Sequence, residues 1–362
     1  MRAGTQRRIK LFAGITGLAA LAGVVFGVQF GWSTFPQAPI AGAIFGAVAG
    51  SISGSLFAAT VAGVELLLPA TRTGRRLERA PFLVILTVKF VLYAGALMAI
   101  SASAIHRWIA AYLVWGRDAA PAVVQSIHIS FEDLFVRGFL ISSVLSLLIQ
   151  FSRMVGPTTL RDILLSRYNR ARAEERFFLF VDIVGSTPLA EKLGPASVHA
   201  FLGRVFETVS DSIDLHKGDV YQYVGDEVVV TWTLAQGCAE ARPIACYHAM
   251  VQALAAESGA FRREFGAVPA LRAALHAGTV ITGEIGGSRR AIVFHGDVMN
   301  TTSRIENATR ELQQSFLISE DALQRLQGKE AYRLADLGPQ QLRGRAAPIR
   351  LYAVAPASSG VV

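Results

Sequence analysis

Residues 1–152 hold apolar runs so long and so poor in charge that most folds are closed to them. Residues 11–31 carry no charged side chain at all, and a bilayer's apolar core is crossed by about 20 helical residues. In lipid every backbone polar group must be satisfied within its own segment, so such a run reads as a helix. Further runs cover about 39–69, 82–105 and 134–151. The first run is longer than a signal-peptide core and others follow it, so it reads as a retained anchor. Four transmembrane helices over 1–152 are therefore expected.

Basic residues cluster before the first run (Arg2, Arg7, Arg8, Lys10), in the 71–80 loop and from Arg153 onward, whereas 106–130 holds fewer. By the positive-inside rule this expects a multi-pass protein of the cell's inner (plasma) membrane, in contact with lipid, with both termini cytoplasmic. Many of the charges behind the net +8 are these flanking residues, so a nucleic-acid partner is not expected. The series Gly42, Gly46, Gly50, Gly54 permits close helix packing. Two ionisable residues lie in the runs. Glu65 is near enough to a run's end to snorkel, and Lys89 is placed for packing, snorkelling or sensing.

From Arg153 the composition becomes that of a cytoplasmic globular domain. Residues 153–176 read as a helical connector with Leu160, Ile163, Leu164 and Arg167 at helical spacing. Residues 177–356 form the soluble domain, and 357–362 are a tail. Cys238 and Cys246 have neither a metal-ligand spacing nor the density of a secreted scaffold, which fits a reducing compartment. The expected elements are a strand ending at Asp182, helices at about 187–194 and 196–216, and a hairpin over 220–232. A long helix at 241–264, strands at 270–277 and 290–295, a helix at 297–311 and a strand-rich end follow.

Three segments carry chemistry. In Phe178-Leu-Phe-Val-Asp-Ile-Val-Gly-Ser-Thr187 a buried strand runs into Asp182, and Gly185, Ser186 and Thr187 then open a helix whose free N–H groups suit phosphate. Gly225-Asp226 is the turn of the hairpin. Two carboxylates brought side by side repel unless a cation lies between them, which implies Mg²⁺ or Mn²⁺. In Gly296-Asp-Val-Met-Asn-Thr-Thr-Ser-Arg-Ile-Glu306, Asn300 and Arg304 share one helix face while Val298, Thr302 and Ile305 turn to the sheet. Taken singly, each segment also fits a plain turn, a cap or a surface pair.

Together, in this order and approximate spacing, they resemble the class III nucleotidyl cyclase catalytic domain over about 175–356. The stretch Leu342–Tyr352 is similar to that family's closing strand pair. The resemblance implies a ferredoxin-like α/β (α+β) catalytic domain acting as a head-to-tail homodimer with composite sites at the interface. It implies that Asp182, Ile183 and Asp226 bind two Mg²⁺ or Mn²⁺ ions per site, and that Asn300 and Arg304 act from the other protomer. Gly185, Ser186, Thr187, Gln222 and Val293 would contact substrate. Gln222 and Val293 stand where the family selects its purine, and neither the adenine-type nor the guanine-type pairing is present. With the metal and transition-state positions intact, the implied reaction is ATP to 3′,5′-cyclic AMP and pyrophosphate. The alternatives are GTP or mixed-purine use, and a receptor that only binds nucleotide. Gly225-Asp226-Glu227 is also similar to the turn of diguanylate cyclases, which would require Gly-Gly there and lack the Asn300/Arg304 helix.

Overall fold

The computed structural model describes residues 3–34, 39–78, 80–115, 136, 139–152, 162, 167–168, 170–286 and 291–356. The chain divides into two compact units, Met1–Met154 and Val155–Val362. Leu160, Ile163 and Leu164 of the expected connector, and the 357–362 tail, lie outside the described residues.

In the first unit α1 (Ala3–Thr34) and α2 (Pro39–Ala62) pack along glycines. A Cβ built on Gly27 or Gly31 would stand 1.9 Å from the carbonyl oxygen of Gly46 or Gly42, and one on Gly23 would stand 2.2 Å from that of Gly50. The Gly42–Gly54 stripe thus meets a matching stripe on α1, and any larger residue at these crossings would push the two backbones apart. Past α2 the backbone widens into a π-turn, Gly63–Leu67, and the 71–80 region, expected as a loop, contains the short helix α3 (Arg72–Glu78). α4 runs over Phe82–Trp115, ten residues beyond the expected end at 105, and α5 over Phe139–Ser152.

Among the described residues three helices are long and apolar enough to cross a membrane: Ile9–Ser33, Pro39–Leu67 and Phe82–Ile100. The fourth expected crossing is shorter. At 1.5 Å per residue Phe139–Ser152 reaches about 20 Å, against an apolar thickness of about 30 Å.

Glu65 does not snorkel. It lies in the π-turn, buried, and its carboxylate accepts from Lys89 Nζ (2.6 Å), Tyr93 OH (2.6 Å) and Ser146 Oγ (2.9 Å). Lys89 is equally buried, so the two charges compensate each other and tie the π-turn, α4 and α5 together. Removing one partner of such a pair leaves the other buried and alone, at a cost of about 3–5 kcal/mol. Lys89→Met is therefore expected to lower the thermal midpoint of this unit in detergent far more than the double variant Glu65→Leu with Lys89→Met does, and differential scanning fluorimetry of full-length protein would check it.

The second unit is an α/β domain. After β1 (Arg172–Ile183) come α6 (Ser186–Leu193), α7 (Pro195–Leu215), the hairpin β2 (Asp219–Val224) and β3 (Glu227–Thr233), and the short α8 (Leu234–Cys238). The expected 241–264 helix is two helices, α9 (Arg242–Ala256) and α10 (Ser258–Phe265), because the backbone leaves helical geometry at Glu257. β4 (Leu271–Ile285) is twice the expected length and pairs at its far end with β5 (Ala291–His295). α11 (Asp297–Glu311), β6 (Phe316–Ser319), α12 (Glu320–Arg325), β7 (Tyr332–Gln340) and β8 (Ile349–Pro356) complete the domain. The sheet order is β2-β3-β1-β4-β6-β8-β7, with β5 on β4, and only β4–β6 is parallel.

Strand alternation distributes β1 between two cores. Phe177, Leu179, Val181 and Ile183 join Phe201, Val205, Val209, Ile244 and Met250 of α7 and α9. Phe178 and Phe180 lie with Val298 of α11 on the opposite face. Asp182 has the even parity and so emerges on the α11 side.

His276 of β4 is buried and its Nδ1 lies 2.7 Å from Ser319 Oγ, which in turn accepts from Ala322 N at the start of α12. Burial lowers its pKa from 6.5 to about 4. A histidine held neutral in the fold contributes stability that is present above about pH 6.5 and is lost as pH falls toward 4. In thermal melts of His276→Gln that acid loss is expected to be smaller than in the wild type between these two pH values.

Candidate active site

Asp182 sits one residue before the end of β1, opposite Glu227 of β3 on one side and Arg272 of β4 on the other. Its Oδ2 accepts from Arg272 (2.6 Å) and from Arg310 at the end of α11 (3.1 Å). Both guanidiniums also face Glu306 Oε1, at 3.6 Å and 3.5 Å. Ile183 next to it is buried in the α7/α9 core, so only its main chain is available to a ligand.

Two turns bring the remaining acid into place. Gly185 takes a left-handed conformation (φ 72°) that a side chain would strain, and it releases the chain from β1 straight into α6. Gly225 does the same (φ 62°) in the tight β2–β3 turn. Ser186 Oγ then donates to Asp226 Oδ2, so the start of α6 and the hairpin turn meet. Gly185 and Thr187 are exposed beside it. Burial, with Glu306, Asp182 and Asp226 adding like charge, pushes Glu227 up to about 7. Burial first, and then the same two aspartates, raise Glu306 against the lowering influence of Arg310 and Arg272.

On α11, Val298, Thr302 and Ile305 are buried as their spacing predicts, while Asn300 is exposed and Arg304 half-buried. Arg345 donates to Asp297 and Thr301, fastening the loop after Leu342 to the first turn of this helix. The helix places its Glu306/Arg310 end at Asp182. Arg304 and Asn300 lie six and ten residues before Arg310, about 9 Å and 15 Å along the axis, and no contact joins either to Asp182 or Asp226 among the described residues.

Gln222 is exposed on β2 just past a bulge that follows Val220, and Val293 is half-buried on β5 opposite Gly283. Their neighbours Tyr221 and Phe294 pack at a tilt with ring centroids 4.8 Å apart, and Phe294 meets Phe178 edge-on beneath. Arg272 and Arg310 were not singled out by the sequence. They reach Asp182 across 90 and 128 residues, Arg272 through the β1–β4 register and Arg310 from the end of α11.

Asp182, Asp226, Glu227 and Glu306 crowd one end of the sheet, where burial first and the neighbouring acids second push Glu227 up to about 7. Hard carboxylate oxygens with too little compensating charge suit Mg²⁺ or Mn²⁺. Among the described residues no group of three or more His, Cys, Asp or Glu side chains is arranged to hold a metal on its own. The donor set therefore fits cations that take the rest of their shell from substrate phosphates and water.

Residues 169–355 match the family model described as the adenylate and guanylate cyclase catalytic domain. The chain is 35% identical over 213 residues to "Adenylate cyclase 2" of Rhizobium meliloti (strain 1021), covering 59% of each chain. It is 25% identical over 214 residues to "Adenylate cyclase" of Anabaena cylindrica, covering 57% of this chain and 41% of that one. It thus spans about three fifths or less of the length of these relatives. A solved structure of a bacterial light-regulated adenylyl cyclase shares the fold, with a TM-score of 0.50 at 22% identity over 59% of this chain and 64% of that one.

Proposed function

Because this chain belongs to the adenylate and guanylate cyclase catalytic-domain family, we propose that it is a membrane-anchored adenylate cyclase working as a homodimer. The observation that carries this reading is the meeting of Asp182 and Asp226 at one sheet end, beside the opening turn of α6. In the reaction the ribose O3′ bonds to the α-phosphorus and the bond from that phosphorus to the β-phosphate oxygen breaks. Pyrophosphate leaves with the electron pair, and the 3′-hydroxyl proton passes to solvent.

Asp182, Asp226 and the main-chain carbonyl of Ile183 are the groups that would hold two Mg²⁺ or Mn²⁺ ions. When bound, such ions lower the cost of the 3′-oxyanion and offset the triphosphate charge. The N–H groups at Gly185, Ser186 and Thr187 hold phosphate oxygens at the start of α6. Arg304 stabilises charge on the α-phosphate and Asn300 orients the ribose. That neither contacts its own Asp182 or Asp226 among the described residues supports a site completed by the partner's helix. Gln222 and Val293 meet the purine: the amide can hydrogen-bond its edge, and the valine can only pack.

ATP is preferred to GTP on the strength of the 35% identical relative named an adenylate cyclase. The apolar helices anchor the enzyme, and the basic flanks orient both termini to the cytoplasm. That orientation needs an even number of crossings, so the segment containing α5 completes the fourth. The connector, expected to run to 176 but ended by β1 at Arg172, is then the covalent route from anchor to catalyst.

Full-length protein in detergent with Mn²⁺ and ATP should release cyclic AMP and pyrophosphate in equal amounts. A faster reaction with GTP would reassign the substrate, and no product from either nucleotide would leave the nucleotide-binding receptor.

A further inference from the structure

The two oxygens of Asp182 are used differently. Oδ2 accepts from both Arg272 and Arg310, whereas no hydrogen bond reaches Oδ1 among the described residues. The two arginines are also unlike each other. Arg272 projects from β4 directly across from Asp182, its side chain is 15% exposed, and its Nε is buried without a hydrogen-bond partner, 3.6 Å from Glu306. Arg310 extends from the last turn of α11, is 55% exposed, and touches Asp182 and Glu306 through a single nitrogen at 3.1 Å and 3.5 Å.

A buried, short, register-matched contact fixes an orientation. A long, solvated side chain held through one nitrogen is bound weakly, because an exposed ion pair contributes at most about 1 kcal/mol. The charges at this end of the sheet complete the argument. Among the described residues Arg272 and Arg310 both meet Asp182 and Glu306, while Glu227 stands opposite Asp182 and Asp226 lies beside it in the turn.

We propose that Arg310 is a displaceable counter-cation that stands at Asp182 when no divalent cation is present and sets how tightly that cation is held, while Arg272 turns the carboxylate so that Oδ1 faces it. This rests on reading Asp182 and Asp226 as the metal pair. Both arginines are positioning residues: neither is required to touch substrate. A cation entering at Oδ1 meets the positive charge of Arg310 across the same carboxylate, so its binding is weaker than the four acids alone would give. Arg310, being solvated, can swing away at little cost.

The test is Mn²⁺ binding, without nucleotide, to full-length protein in detergent, followed by the electron paramagnetic resonance signal of free Mn²⁺. Arg310→Gln is expected to bind about three- to fivefold more tightly than wild type, the range an exposed ion pair allows. Arg310→Lys, which keeps the charge, should stay near wild type, and the gain in Arg310→Gln should shrink at high salt as screening removes the repulsion. Equal or weaker binding by Arg310→Gln, or tighter binding by Arg310→Lys as well, overturns the proposal. Asp182→Asn separates the two levels. If wild type and Asp182→Asn bind Mn²⁺ alike, or neither binds it, the assignment of Asp182 as a metal ligand fails whatever Arg310 does.

Discussion

Asp226→Asn should lower the rate of cyclic nucleotide formation by about 10³-fold, equivalent to about 4 kcal/mol of transition-state stabilisation, with little change in thermal midpoint. The site explains why this substitution isolates the charge. Asp226 is half-buried in a hairpin turn, and its hydrogen-bond partner is the hydroxyl of Ser186. An amide oxygen accepts that bond as well as a carboxylate does, so the turn and its contact with α6 survive while the negative charge is lost. Glu227 provides a second readout, since Asp226 is one of the like charges that hold it high. Its apparent pKa should fall in the variant if the fold is intact. Asp182→Asn is expected to match the loss of rate and also to reduce stability, because Arg272, at 15% exposure, would lose its 2.6 Å carboxylate. Kinetics of both variants beside their melting curves check the contrast. A nearly wild-type rate in well-folded Asp226→Asn would remove the carboxylate from the chemistry.

What could be read from the chain and what could not divide along sequence distance. The strand into Asp182, the Gly225-Asp226 turn and the buried stripe of α11 are local patterns, each decided within about ten residues by alternation, turn chemistry or helical period. The break at Glu257 escaped because the apolar period continues across it from Met250 and Leu254 to Phe261 and Phe265, all of which reach one core. The far half of β4 escaped because it is held there by the start of β1, more than a hundred residues earlier, as well as by β5. Glu65 was misjudged for a related reason. Distance from a run's end predicts snorkelling, but the donors on α4 and α5, 24 to 81 residues away, make burial the better solution. Arg272 and Arg310 belong to the same class of long-range contacts. The motif residues were legible because they act where local structure puts them, whereas the charges that tune them are delivered by the β1–β4 register for Arg272 and by the packing of α11 for Arg310.

Heterodimers of Asp226→Ala with Arg304→Ala should regain about half of wild-type activity per dimer, although each homodimer is inactive. The reasoning begins with α11. Its C-terminal end touches Asp182 through Arg310, Arg304 and Asn300 stand about 9 Å and 15 Å before Arg310 along the axis, and among the described residues neither contacts Asp182 or Asp226. The Arg304 guanidinium lies instead beside Gly344, and a second copy related by a two-fold axis can bring the same helix face to the site from outside. In the mixed dimer one site joins the intact acids of the Arg304→Ala chain to the intact Arg304 of the Asp226→Ala chain. The other site carries both defects, which sets the expected value at about one half. Co-expression with two different tags and sequential purification yields the mixed species free of homodimers. Activity no greater than the sum of the two homodimers, from dimers that melt like wild type, would mean that each chain builds its site alone and that Arg304 reaches its own Asp182 by a route this helix does not offer.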